Sequence, residues 1–165
     1  DFNHLFYLND NDAEKAIESM KIVVKSQQIK PEAKLKVLSD FVNFVKLNPQ
    51  YETDLVEATA LLDGTSDAKT LTDLGQYYLQ KGDKQNALKH FQEALKLDSD
   101  NFSVLKNVLL LHIDLNQFEE ARTKSDLAIQ KYQAQPLVYL VHGVALNALQ
   151  KPKEAIPIWA KCLKN

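Results

Sequence analysis

The stretch Leu74-Gly-Gln-Tyr-Tyr-Leu-Gln-Lys-Gly-Asp-Lys-Gln-Asn-Ala-Leu-Lys-His-Phe-Gln-Glu-Ala-Leu-Lys-Leu-Asp-Ser-Asp-Asn101 decides the fold. It holds two amphipathic runs separated by Lys81-Gly82-Asp83. Leu71, Leu74, Tyr78 and Leu79 recur at helical spacing before the break, and Ala87, Leu88, Phe91, Ala94 and Leu95 resume it afterwards. Asp83 is placed to cap the second helix. Gly75 lies inside the first run, where glycine weakens a helix by about 1 kcal/mol relative to alanine. Its presence predicts a close approach by another helix.

The pattern repeats. Ala87, Ala121 and Ala155 fall 34 residues apart, and Ala94, Ala128 and Cys162 keep the same step. Phe91, Ser125 and Trp159 share a column whose middle member deviates. Leu74, Val108 and His142 form another, followed by Gly75, Leu109 and Gly143. Gly82, Asn116 and Gln150 stand where the chain must leave one helix for the next. Glycine and asparagine suit the left-handed residue that ends a helix; glutamine suits it less well. The units predicted are 68–101, 102–135 and 136–165. Within them the helices run from about Asn101 to Leu115, Phe118 to Lys131, Gln135 to Leu149 and Pro152 to Lys164. Pro157 interrupts the last and removes one backbone hydrogen bond.

These residues resemble the tetratricopeptide repeat, a helical hairpin of about 34 residues. Leu74, Gly75, Tyr78, Ala87, Phe91 and Ala94 match its pattern. The third unit keeps Gly143, Ala155 and Trp159; the second departs, with Leu109 for the glycine and His112 for the tyrosine. The resemblance implies an all-α fold of antiparallel helical hairpins stacked into a right-handed superhelix. It also gives Gly75 a role at the crossing of the two helices of a hairpin, with Phe91 and Ala94 around it.

Residues 1–67 follow the pattern less closely. Helices are predicted from about Asn11 to Gln27, Pro31 to Leu47 and Pro49 to Leu62, ending in the turn-prone Asp63-Gly64-Thr65-Ser66. Phe2 to Leu8 would be the remnant of a first helix. Ala16 precedes Ala87 by 71 residues, three more than two periods, so a longer, degenerate repeat lies between. The whole chain, 1–165, is read as one repeat domain of about four and a half hairpins. It begins at Asp1 and ends in a hairpin carrying Trp159, Cys162 and Leu163, which points to a piece of a longer protein.

Composition narrows the function classes. A net charge of −2 offers no basic surface for a phosphate backbone, so nucleic-acid binding is not expected. No apolar run approaches the eighteen or so residues of a membrane span. A single cysteine excludes an internal disulfide and leaves a thiolate zinc site without support. The compartment stays undecided between cytoplasm, periplasm and exterior. No histidine pairs with another histidine or a cysteine at metal-ligand spacing; His112 and His142 are read as packing imidazoles, each with one nitrogen hydrogen-bonded. His4 and His90 carry no pattern. Glu119-Glu120 suits a helix start rather than catalysis. Asn9-Asp10-Asn11-Asp12 lacks the glycine and terminal glutamate of a calcium loop and reads as a helix N-cap region. Asn101-Phe102-Ser103 is a formal glycosylation triplet. No phosphate loop or nucleophile elbow occurs. The chain is therefore expected to be no enzyme and to carry no cofactor or metal.

The remaining signal is apolar. From Asn101 to Leu115 almost no polar face is left, as in a helix that is buried or meets a partner. Leu105, Val108, Leu109 and His112 are expected to face the hairpin and its neighbours. Leu110 and Ile113 then point to the concave side, with Leu79 before and Leu137, Leu140 and Val144 after; Gln76 and Lys106 complete the expected groove. The resemblance implies that such a groove binds an extended peptide or a partner's helix. The alternative is that these side chains only pad adjacent first helices. Family members that bind acidic chaperone tails use lysines, asparagines and an arginine, and at the corresponding Thr72, Gln76, Asn107, Leu137 and Val141 only Asn107 agrees. Counting from one repeat earlier gives Leu38, Val42, Asp73, Ser103 and Asn107, no better. Apolar anchors are expected instead. The leading expectation is a protein-interaction scaffold. A self-associating assembly module, pairing through the last hairpin, and an accessory segment of a larger enzyme or secretion complex are the alternatives.

Overall fold

The structure is a computed structural model that describes residues 10–62 and 67–164. His4, the Phe2–Leu8 remnant, Asn9 and the Asp63–Ser66 turn lie outside the described residues. Every regular element among those described is helical: α1 Asp10–Lys25, α2 Pro31–Leu47, a 3-10 turn Pro49–Tyr51, α3 Glu52–Leu61, α4 Ala68–Lys81, α5 Lys84–Leu97, α6 Phe102–Asp114, α7 Phe118–Lys131, α8 Pro136–Ala148 and α9 Pro152–Lys164. The chain forms two compact units, 1–81 and 82–165, so α4 belongs to the first unit and α5 to the second.

In the first unit α2 packs against α1, α3 and α4. The unit's core holds Met20, Leu38, Phe41, Val42, Val45, Leu55 and Ala58, all fully buried. Phe44 extends it, its ring 6.0 Å from Phe41 and 5.5 Å from Tyr51. The helix predicted over Pro49–Leu62 is split, because Pro49 starts a 3-10 turn before α3 begins. Lys21 of α1 reaches Asp54 at 2.7 Å and Glu57 at 2.6 Å on α3. Lys81 pairs with Glu52. Ser39 of α2 donates to Asp73 of α4 at 2.7 Å, and Lys69 joins both.

In the second unit several features recur at the 34-residue step. Ala87, Ala121 and Ala155 each have 0% exposure, so every member of the 34-residue column is buried. Asp83 accepts from the Asn86 N–H at 3.1 Å, the expected cap, and Asn101 accepts from the Val104 N–H at 3.2 Å to cap α6. Gly82, Asn116 and Gln150 all have positive φ, at 86°, 57° and 61°. After α6 the Gln117 N–H donates to the His112 carbonyl at 2.8 Å and the Asn116 N–H to that of Ile113 at 3.0 Å. After α8 the Lys151 N–H donates to Leu146 at 2.8 Å and the Gln150 N–H to Asn147 at 3.0 Å. These are the same Schellman closure, one period apart. Glutamine accepts the left-handed turn because those two bonds hold it there.

Close approach is displayed at Gly143. A Cβ built on it would lie 2.7 Å from Cε2 of Trp159 and closer still to Nε1 and Cδ1. The indole of α9 therefore occupies the space that a side chain on α8 would need. Gly75, in the same column two periods earlier, is buried on α4. Leu109, Ala121, Ala128, Val138, Tyr139, Val141 and Ala145 form one core cluster where α6, α7 and α8 meet. α9 continues through Pro157, whose missing N–H leaves the Lys153 carbonyl without its helical donor.

Candidate functional site

Each expected groove residue takes its position from the helical period. Gln76, Leu110 and Val144 share one 34-residue column, and Thr72, Lys106 and Leu140 share the column one turn before it. On α6, Val108 and Leu109 are fully buried and Leu105 packs half-buried on the core cluster. Of the groove set, Lys106 is exposed, Leu110 is 39% exposed and Ile113 is half-buried. On α8, which packs beside α6, Leu140 is 45% exposed, while Leu137 and Val144 are half-buried. Ile113 and Leu137 pack against the core cluster. Their contact area is thus partly used inside the protein, and Leu110 and Leu140 carry most of the free apolar surface. Gln76 and Leu79 are half-buried on α4, in the other unit.

The two histidines of the second unit that the pattern singled out engage separate partners. His112 is 2% exposed on α6. Its Nδ1 lies 2.7 Å from Oε1 of Gln117, and its Nε2 lies 3.0 Å from the Lys124 ammonium and 3.3 Å from Nε2 of Gln92. An ammonium only donates, so Nε2 is the acceptor and Nδ1 carries the proton given to Gln117. His142 sits 2.8 Å from the Ser125 hydroxyl through Nδ1. That hydroxyl already donates to the Ala121 carbonyl at 2.6 Å, so the imidazole N–H donates to it. Ser125, the deviant of an aromatic column, is fully buried, and His142 supplies the ring that its column lacks. Among the described residues no three His, Cys, Asp or Glu side chains converge as a metal site.

Burial depresses the pKa of His112 and His142, and of His90, whose lowering has the same cause. In His112 the Gln117 bond opposes the shift and Lys124 reinforces it; in His142 Asp126 opposes it. Because the folded values lie below the unfolded value near 6.5, the unfolded chain binds more protons in mild acid. The stability these groups contribute is complete above about pH 6.5 and is lost as pH falls through the lowered folded values. Urea midpoints are expected to drop between pH 7 and pH 5, with a slope of at most about 1.4 kcal/mol per pH unit for each histidine. A variant with glutamine at all three positions should have a flatter profile in that window.

Concavities also lie away from the expected groove. In the first unit Glu14, Lys15, Ile17, Glu18, Lys21, Gln50, Tyr51 and Asp54 line about 700 Å³. Its central cation, Lys21, is already bound by Asp54 and Glu57, and those bonds raise its pKa. In the second, α5 and α7 enclose about 530 Å³ lined by Lys89, Gln92, Glu93, Leu95, Lys96 and Lys124.

The tetratricopeptide repeat family model matches residues 4–165. Among solved structures, a crystal structure of MamA superposes with a TM-score of 0.61 at 17% identity, over 96% of this chain and 95% of that one. MamA AMB-1 in crystal form P212121 gives 0.65 at 17% identity, over 92% and 81%. MamA MSR-1 in form C2 gives 0.63 at 17%, over 92% and 85%. At such identities the likeness concerns the fold. No curated protein matches the chain in sequence.

Proposed function

The chain belongs to the tetratricopeptide repeat family, and on that premise we propose that it is a non-catalytic scaffold that receives a peptide or helix of a protein partner along α6 and α8. The observation that supports this reading is the pair Leu110 and Leu140, exposed on two adjacent first helices whose other long aliphatic side chains are buried or half-buried. Because less than half of each leucine is still in water, covering one contributes on the order of 1 kcal/mol before association costs are subtracted. Two such anchors fit an interface of micromolar rather than nanomolar strength. Lys106, exposed beside them, would sit at the polar rim.

The test is selection of 12-residue peptides from a random library on the intact protein, followed by methyl chemical shifts. Selected peptides are expected to carry apolar anchors and to move the Leu110 and Leu140 methyl signals. Leu110→Asp with Leu140→Asp should weaken them at least tenfold while the chain stays folded with a lower urea midpoint, since both side chains reach solvent but are partly packed and aspartate is the poorer helix former. Ile113 is left intact because it also packs on the core. Peptides that keep their affinity for the double variant would end this reading. A second reading, self-association, is favoured by Ile156 and Leu163 on α9, which are 64% and 89% exposed. Light scattering separates it: a mass independent of concentration leaves the scaffold reading alone.

A further inference from the structure

The concavity between α5 and α7 differs from the groove in chemistry as well as place, since it belongs to the second helices of two hairpins. Lys89, Gln92, Glu93 and Lys96 follow one another at helical spacing on one face of α5, and Lys124 faces them from α7. Leu95 and the lysine stems give the cavity carbon walls. Behind the lining, Gln92 and Lys124 both reach the Nε2 of the buried His112. That imidazole is neutral and already has its donors.

The charges lining the cavity do not balance. Elsewhere in the second unit Lys84 pairs with Asp114, Arg122 with Glu119 and Lys131 with Asp100. Among the described residues no ion pair involves Lys89, Lys96 or Lys124. Three ammonium groups thus face one lining carboxylate, Glu93, and the partner of the half-buried Lys124 is an uncharged imidazole. Burial lowers the Lys124 pKa, Glu120 opposes that shift, and Lys96 adds to it. Lys124 and Lys96 therefore feel each other across the cavity. An ammonium has three donors, and Lys124 uses one on His112. A carboxylate placed between the lysines would accept the remaining donors, offset the mutual repulsion and be strengthened by partial desolvation.

We infer that this cavity is a second binding site, taking one or two carboxylates of an acidic peptide stretch in a protein partner, with Lys89, Lys96 and Lys124 as the cationic contacts and Gln92 as a neutral donor. Counted over the lining alone the excess is two positive charges, and with Glu120, whose charge also acts on Lys124, it is one; hence one or two carboxylates. Phosphate recognition usually enlists the arginine fork or a run of backbone N–H groups. Arg122, the sole arginine, is held by Glu119, and the lining residues lie in the body of α5 and α7 with their N–H groups committed to the helix. The site is independent of the groove on α6 and α8.

The test is a titration of the intact protein with hexaglutamate blocked at both ends, followed by backbone amide and imidazole resonances. Binding is expected to move the amides of residues 89–96, that of Lys124 and the His112 ring signals. Lys89→Glu with Lys96→Glu should weaken it at least tenfold; both side chains are exposed, so folding is retained. Lys151→Glu with Lys153→Glu, an equal charge change at the start of α9, should alter affinity less than twofold, as should Leu110→Asp with Leu140→Asp. Four results overturn the site: no shifts at these residues, indifference to the α5 charge reversal, an equal loss from the α9 reversal, or capture of a blocked glycine-flanked phosphoserine peptide when hexaglutamate is not bound.

Discussion

Gly143→Ala is expected to cost about 2–4 kcal/mol and to move Trp159 into water. The added methyl would stand within 2.7 Å of Cε2 and nearer to two other atoms of the indole's five-membered ring. A rigid ring cannot yield by rotating a terminal atom; either it swings away or α8 and α9 separate. Alanine is the better helix former by about 1 kcal/mol, so that intrinsic gain partly offsets the clash. The clash prevails because the displaced indole, half-buried here, gives up the contacts of its packed face, a loss on the order of a few kcal/mol. Trp159 is the only tryptophan, so its emission reports the event directly: a red shift is expected together with a lower urea midpoint. In a Trp159→Phe background the same methyl should cost less, since the atoms it meets belong to the five-membered ring. A coupling energy near zero in that double-mutant cycle would mean that the ring and the glycine do not share the space.

The crossing at Gly143 was readable from sequence as a glycine two periods after Gly75, because close packing leaves a compositional mark at a fixed interval. The same applies to the alanine column, the Asp83 cap and the three helix ends, where local geometry restricts the residues allowed. At Gln150 the period outweighed the residue's own preference. In the first unit the period is broken, and the reading there blurs: α1 ends at Lys25 rather than Gln27, and Pro49 diverts one turn into 3-10 form. α6 shows a different limit. Its residues are apolar nearly all round, so periodicity alone could not separate Leu110, which faces water, from Ile113, which also packs on the core. The lysine cavity left still less trace. Lys89 and Lys96 are visible as a helical pair, but Lys124 is far along the chain and joins them only through the packing of α5 and α7 around His112. Ser125 stood out as a deviant; that His142 compensates for it needed coordinates.

Ala121→Leu is expected to be the other large effect, and it tests the repeat itself. Ala121 has no exposure and lies in the cluster with Leu109, Val138, Tyr139 and Ala145. Three added carbons must displace those neighbours or bend α7 away from α8. Overpacking of this kind costs about 1–3 kcal/mol and occasionally more. The upper end is expected here, because Ser125 one turn later already fixes the local spacing through its bonds to Ala121 and His142. Ala87→Leu and Ala155→Leu should cost comparable amounts, since each of those alanines also has 0% exposure at the same step of the repeat. Ala148→Leu, at the exposed end of α8, should stay within about 0.5 kcal/mol of the parent and so controls for the leucine itself. Urea midpoints of the four variants decide the matter. If Ala121→Leu fell with Ala148→Leu rather than with its two column mates, the 34-residue period would describe sequence alone, and the three hairpins would not be built around a common small-residue seam.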